Sequence, residues 1–64
     1  MPNTPPATPL MTEAEVAAYL HVPAETVRYW RHQGTGPQAF RVGRHVRYRP
    51  ADVERWLEDQ AVGQ

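Results

Sequence analysis

The chain has no cysteine, no lysine and no serine among its 64 residues, and its formal net charge is zero. Without cysteine, neither a disulfide framework nor a thiolate metal site is available to staple a small fold. Without cysteine and serine, the usual side-chain nucleophiles reduce to threonine. His21, His32 and His45 fall on three different segments with no HxxxH spacing, so no zinc site is expected, and there is no Gly-rich phosphate loop. These absences predict a protein that is not an enzyme and takes no cofactor or metal. No apolar run approaches the roughly 20 residues that a membrane span needs. The opening Met1-Pro2-Asn3-Thr4-Pro5-Pro6 lacks the basic and apolar regions of a signal peptide. The expected location is therefore the cytoplasm, with no membrane partner.

What remains must fold with little. A chain this short buries only about 60% of the surface its unfolded form exposes. One domain is expected, with its core drawn from Leu10, Val16, Leu20, Val22, Val27, Trp30, Phe40, Val42, Val46, Tyr48, Val53, Trp56 and Leu57. Residues 1–9 hold four of the seven prolines and almost nothing to bury, which predicts a disordered arm. The folded domain is expected over 10–60 and a frayed tail over 61–64. No internal repeat is present.

The zero net charge hides a segregation. From Glu13 to Glu25 there are three acids and no arginine. From Arg28 to Arg49 there are six arginines, with His32 and His45, and no acid. From Asp52 to Asp59 there are four acids and one arginine. The middle third is thus a +6 block, and local potential rather than net charge steers a polyanion. Arginine also carries the planar fork that suits phosphates and guanine edges.

The local signals place this block on definite elements. Thr12 followed by Glu15 is a capping box, with Met11 before it able to staple against Val16, and the first helix runs to about Leu20. His21-Val22-Pro23 breaks that helix, because proline disfavours helical geometry at Val22 and fits the opening of the next one. The second helix, about Ala24 to His32, buries Val27 and Trp30, and Gly34 ends it as a left-handed cap. Thr35-Gly36-Pro37-Gln38 is a loop. Phe40, Val42, Val46 and Tyr48 then alternate with Arg41 and Arg47 around a Gly43-Arg44-His45 turn, which predicts a hairpin with one apolar and one arginine face. Pro50 opens a third helix, Ala51 to about Gln60, carrying Val53, Trp56 and Leu57 inward, and Trp56 is the expected anchor of the hairpin. The fold class is mainly α with a small β-hairpin: a winged helix-turn-helix.

The chemistry of such a fold is nucleic-acid recognition. A helix fits the major groove and reads bases mostly from its N-terminal residues. Arg28 is expected to fork onto guanine, Glu25 to accept from a cytosine amino group, and Thr26 to touch a thymine methyl or a phosphate. Tyr29 and Arg31 are expected on phosphates, with His32 on the same open surface. In the wing, Arg41, Arg44, His45, Arg47 and Arg49 lie within nine residues. An arginine at the tip suits the negative potential of a narrow minor groove, and the outward arginines would hold phosphates beside it. One or two charges of either sign would guard a hairpin edge against aggregation, so five basic groups without an acid exceed that need. The acids Asp52, Glu54, Glu58 and Asp59 read as the solvated face of an amphipathic helix.

Two stretches carry a family resemblance. Leu10-Met11-Thr12-Glu13-Ala14-Glu15-Val16-Ala17-Ala18-Tyr19-Leu20 with Val22 and Thr26-Val27-Arg28-Tyr29-Trp30 resembles the opening of MerR-like, excisionase-type DNA-binding domains. Val42-Gly43-Arg44-His45-Val46-Arg47-Tyr48 and Asp52-Val53-Glu54-Arg55-Trp56-Leu57 resemble that family's wing and closing helix. The resemblance spans about residues 10 to 59. It implies a double-stranded DNA ligand, Arg28 and its neighbours in the major groove, and Arg44 in the minor groove. Members of this kind include excisionases of phages and integrative elements. These are recombination directionality factors that bind repeated sites, bend the DNA and help a tyrosine integrase. They also include AlpA-like activators and BldC-like regulators, so excision and transcription both stand as roles. A bacterial or phage-encoded, nucleoid-associated protein is implied. Pro23 stands where the family often has serine, which removes a hydroxyl contact to phosphate. No long C-terminal coiled coil is present, so neither stable dimerisation nor a small-molecule effector is expected. Two further expectations concern protein partners. The acidic helices dock on a neighbour's basic wing, giving head-to-tail copies on DNA; in a third reading, the acidic third helix pairs with another protein instead.

Overall fold

Thr12 starts the first helix in the way its spacing from Glu15 predicts. In the computed structural model, which describes residues 9–61, the Glu15 amide donates to Thr12 Oγ1 at 3.0 Å. The Thr12 amide donates back to Glu15 Oε1 at 2.8 Å. Helix α1 runs Glu13–Leu20 and closes on His21, which takes a left-handed conformation (φ 60°, ψ 41°) and sends its own N–H back to the helix carbonyls. Pro23 caps α2, Ala24–Gln33, with its fixed φ of −64° and no side-chain hydrogen bond. Gly34 ends α2 at φ 74°, as its position after the last periodic residue predicts. Pro50 begins α3, Pro50–Asp59. The element order, helix, turn, helix, hairpin, helix, is that of the winged helix-turn-helix read from the sequence. No described helix is long and apolar enough to cross a membrane. Residues 1–8 of the expected arm and 62–64 of the expected tail lie outside the described residues.

The hairpin departs from its expected pattern. Strands β1, Ala39–Val42, and β2, His45–Tyr48, are joined by two residues, Gly43 and Arg44, rather than three. Gly43 takes φ 66° and Arg44 keeps an ordinary φ, the arrangement of two-residue hairpins that put glycine first. Shortening the turn by one residue shifts the register by one, and a one-residue shift moves a strand's side chains to the other face. The pairs are Ala39 with Tyr48, Phe40 with Arg47, Arg41 with Val46 and Val42 with His45. Directly opposed residues share a face. Ala39, Arg41, Val46 and Tyr48 therefore lie on one side, and Phe40, Val42, His45 and Arg47 on the other. There is no single arginine face.

The core is small and centres on the inner side of that hairpin. Val16, Ala17, Val27, Tyr48 and Val53 are buried, with Met11, Leu20, Val22, Trp30, Ala39 and Val46 packed against them. Met11 also adds a rung of sheet: its N–H and C=O exchange hydrogen bonds of 2.8 Å with Tyr48 of β2, on the side away from β1. Three residues expected inside stand exposed. Val42 (51%) is turned out by the register. Leu10 (46%) precedes the inward Met11 in extended chain, where neighbours point oppositely. Leu57 (39%) lies a turn beyond Val53, where a chain this short has little left to cover it. Phe40 is half-buried on the outer face, under the Arg49 guanidinium at 4.5 Å. Trp56 does not anchor the hairpin. It packs on Trp30, ring centroids 5.0 Å apart, and its indole N–H donates to the Thr35 carbonyl at 2.8 Å. Tyr48 and Met11 hold the hairpin instead.

Candidate nucleic-acid interface

Helical spacing sorts the residues of α2 into two stripes. Glu25, Arg28, Tyr29 and His32 fall at i, i+3, i+4 and i+7, and all four are exposed. Tyr29 is 61% exposed, a large aromatic left in solvent beside an arginine. It is not tucked under the wing. Thr26 is half-buried at the margin of this stripe. Val27, Trp30 and Arg31 make the opposite stripe, and it faces the body of the protein.

That placement separates Arg31 from the other basic residues. Its Nε donates to Glu13 Oε2 at 2.7 Å, and the same oxygen accepts from the Tyr48 hydroxyl at 3.1 Å. Burial alone would push the Glu13 carboxyl up, but the hydrogen bonds from Arg31 and Tyr48 and the charges of Arg31 and Arg28 outweigh it and hold it below its ordinary value. The bond to Glu13 raises Arg31 in turn. Burial, then the Glu13 charge, pushes the Tyr48 phenol up to about 12. Arg31 also lines a shallow depression with Ala39, Phe40, Arg41 and Val46, so it sits where α2 meets the wing.

The far half of the wing is open to solvent. Arg41, Val42, Gly43, Arg44 and His45 are all exposed. Arg44 is the second residue of the turn, at the tip. Arg41 lies on the inner face and Arg47 on the outer one, so basic groups flank the hairpin on both sides. Arg47 is half-buried and donates from Nη1 to the Val46 carbonyl at 2.7 Å; exposed Arg49 lies over Phe40. Among the described residues, Arg28, Arg41, Arg44, Arg47 and Arg49 form no salt bridge. The two arginines that do are Arg31, with Glu13, and Arg55, with Asp52.

Sequence reasoning gathered the exposed α2 stripe and the wing arginines, and missed Glu13. It read that residue only as one of the three acids between Glu13 and Glu25. No local signal links it to Arg31, 18 residues on, or to Tyr48, 35 residues on. Among the described residues no group of three or more His, Asp or Glu side chains is placed to hold a metal ion.

A search of curated proteins finds no match to the chain. A family profile described as a helix-turn-helix domain matches residues 10–61. That span takes in both stretches on which the excisionase-type resemblance rests, the capped first helix pair and the wing with its closing helix. With the exposed helix stripe and the protruding arginine wing, the match settles the class: the chain belongs to the helix-turn-helix domain family and is a small DNA-binding protein.

Proposed function

We propose that this protein is an architectural DNA-binding factor of the excisionase kind. It binds repeated sites side by side, bends the DNA between them and assists a tyrosine integrase in excising a mobile element. The observation that carries the reading is the wing. Its exposed half carries Arg44 at the tip, and Arg41 and Arg47 lie on opposite faces of the hairpin. A two-faced basic hairpin suits a narrow minor groove, whose phosphates line both walls, and an arginine between those walls meets the most negative potential. In this reading Arg41 and Arg47 reach phosphates on opposite sides, with Arg49 beside them and His45 near the tip.

The stripe of α2 lies in the adjacent major groove. Arg28 forks onto guanine, Glu25 and Thr26 contact neighbouring base edges or phosphate, and Tyr29 and His32 meet the backbone. A single domain of this size touches few base pairs, so specificity comes from several copies in a row. The exposed acids of α3, Glu54, Glu58 and Asp59, offer a surface for a neighbour's basic wing.

Analytical ultracentrifugation tests the assembly. The protein alone should sediment as a monomer, and on a fragment with direct repeats several copies should load together; a stable free dimer contradicts the proposal. Reconstituted recombination with a tyrosine integrase and its attachment sites then tests the role. Stimulated excision supports it. Repeat binding that alters transcription from a nearby promoter, with no effect on excision, assigns the fold to a regulator instead.

A further inference from the structure

Glu13, Arg31 and Tyr48 belong to three different elements and meet at one carboxylate oxygen. Glu13 lies in the first turn of α1, Arg31 in the last turn of α2 and Tyr48 at the end of β2. Glu13 Oε2 accepts from Arg31 Nε at 2.7 Å and from the Tyr48 hydroxyl at 3.1 Å. Tyr48 is fully buried and its backbone is bonded in both directions to Met11, just before α1. Arg31 in turn walls the depression between α2 and the hairpin. The base of the wing and the end of the DNA-facing helix are thus tied to the same point on α1.

The tie matters because neither element sets that relation by itself. A two-stranded hairpin has little stability of its own, so contacts at its base govern where it points. Here the tip of the hairpin, from Val42 to His45, is exposed to solvent, and a small rotation at the base moves Arg44 through a large arc. We propose that the Glu13–Arg31–Tyr48 network is a positioning device that holds the wing at a fixed distance and angle from α2, so that both reach DNA at once. Arg31 is then a positioning residue and not a phosphate ligand. Its charge is already met by Glu13, so it releases no counterion from the DNA. The inference rests on the DNA-binding reading of α2 and the wing.

Glu13→Gln separates this proposal from simple electrostatics. The substitution removes an acid from beside the basic surface and leaves Arg31 unpaired, so charge alone predicts tighter DNA binding and a steeper salt dependence. Loss of positioning predicts weaker binding, by about fivefold, in spite of the added positive charge. Arg31→Gln should weaken binding similarly with the salt slope unchanged, whereas loss of a phosphate contact would flatten the slope by about 0.9. Tyr48→Phe removes one hydroxyl and keeps the buried ring, so it tests the network if Glu13→Gln fails to fold; about threefold weaker binding is expected. Residual dipolar couplings of the free protein provide an arm that needs no DNA. In Glu13→Gln and Tyr48→Phe the hairpin should reorient relative to α2 while each element stays intact. Unchanged couplings in the folded variants, tighter binding by Glu13→Gln, or a flattened slope for Arg31→Gln would each overturn the proposal. Wild-type protein that fails to bind DNA would refute the binding reading alone, and the couplings would still decide the positioning role.

Discussion

A methyl group at Gly36 would test the packing that closes the loop between α2 and the wing. An added Cβ would stand 2.8 Å from Trp30 Cβ, 3.7 Å from its Cγ and 3.8 Å from its backbone carbon. The nearest atom is the stem of Trp30, not the far end of a flexible chain, and it cannot swing aside. Trp30 is held in α2 and its ring lies against Trp56, whose indole N–H reaches over to the Thr35 carbonyl at 2.8 Å. The loop, the tryptophan pair and α3 are therefore strained together if Gly36 gains a side chain. Overpacking of this kind costs about 1–3 kcal/mol. Restricting the unfolded chain offsets about 0.4–1 kcal/mol of that, since Gly36 needs no left-handed backbone. The net expectation for Gly36→Ala is a loss of about 1–2 kcal/mol. In a domain this small each kcal/mol moves Tm by about 4–8 °C, so a drop on the order of 5–15 °C should follow. Urea and thermal unfolding followed by the fluorescence of Trp30 and Trp56 would measure it. A Gly36→Ala variant as stable as the parent, or more so, would refute the argument that this loop is closed by contact with Trp30.

Three other expectations concern the cap, the tyrosine node and the arginines of α2 and the wing. His21 ends α1 in a left-handed conformation that disfavours a side chain, so His21→Gly should raise stability by about 0.5–1 kcal/mol; a lower urea midpoint would show that the cap is not a source of strain. Tyr48 is pushed up by burial, and further by the Glu13 charge, from an ordinary 10.0 to about 12. Because its folded value is raised, the stability it contributes is fully present below pH 10 and is lost as pH climbs toward 12. That loss is about 2–3 kcal/mol. Alkaline unfolding should follow tyrosinate formation and weaken in Tyr48→Phe; unfolding in that window unaffected by Tyr48→Phe would contradict it. Arg28→Ala should cost about 1–3 kcal/mol of DNA affinity and relax the preference at one base pair, whereas Arg47→Ala should weaken every sequence alike. Equal losses on all sequences for both variants would undo the separation of base reading from phosphate contact.

Much of the fold was legible because its boundaries rest on local chemistry. The Thr12 and Glu15 capping box, Pro23, Gly34 and Pro50 each act within a few residues, and each stands at its element's edge. The exposed stripe of α2 follows from helical period alone. The hairpin register was not legible. Phe40, Val42, Val46 and Tyr48 suit a three-residue turn on one apolar face equally well, and only the tertiary choice of a two-residue Gly43-Arg44 turn splits them between faces. The same choice moved Arg41 and Arg47 to opposite sides, which changes how the wing can meet a groove. Glu13 was invisible for a different reason. Its partners are brought to it by the packing of α1, α2 and β2, and no spacing in the chain records that meeting. Trp56 was rightly read as an inward aromatic, but its partner, Trp30, lies on α2 and not on the strands.

The dependence of DNA affinity on salt tests the central claim most directly. Arg41, Arg44, Arg47 and Arg49 form no salt bridge among the described residues and are the groups expected on or between phosphates, where they displace counterions. Four such contacts on duplex DNA predict a slope of log K against log salt of about −3.6. A slope near that value on a neutral protein would mark the segregated arginine block as the binding surface. A slope near zero, or no binding to duplex DNA at low salt, would contradict the account.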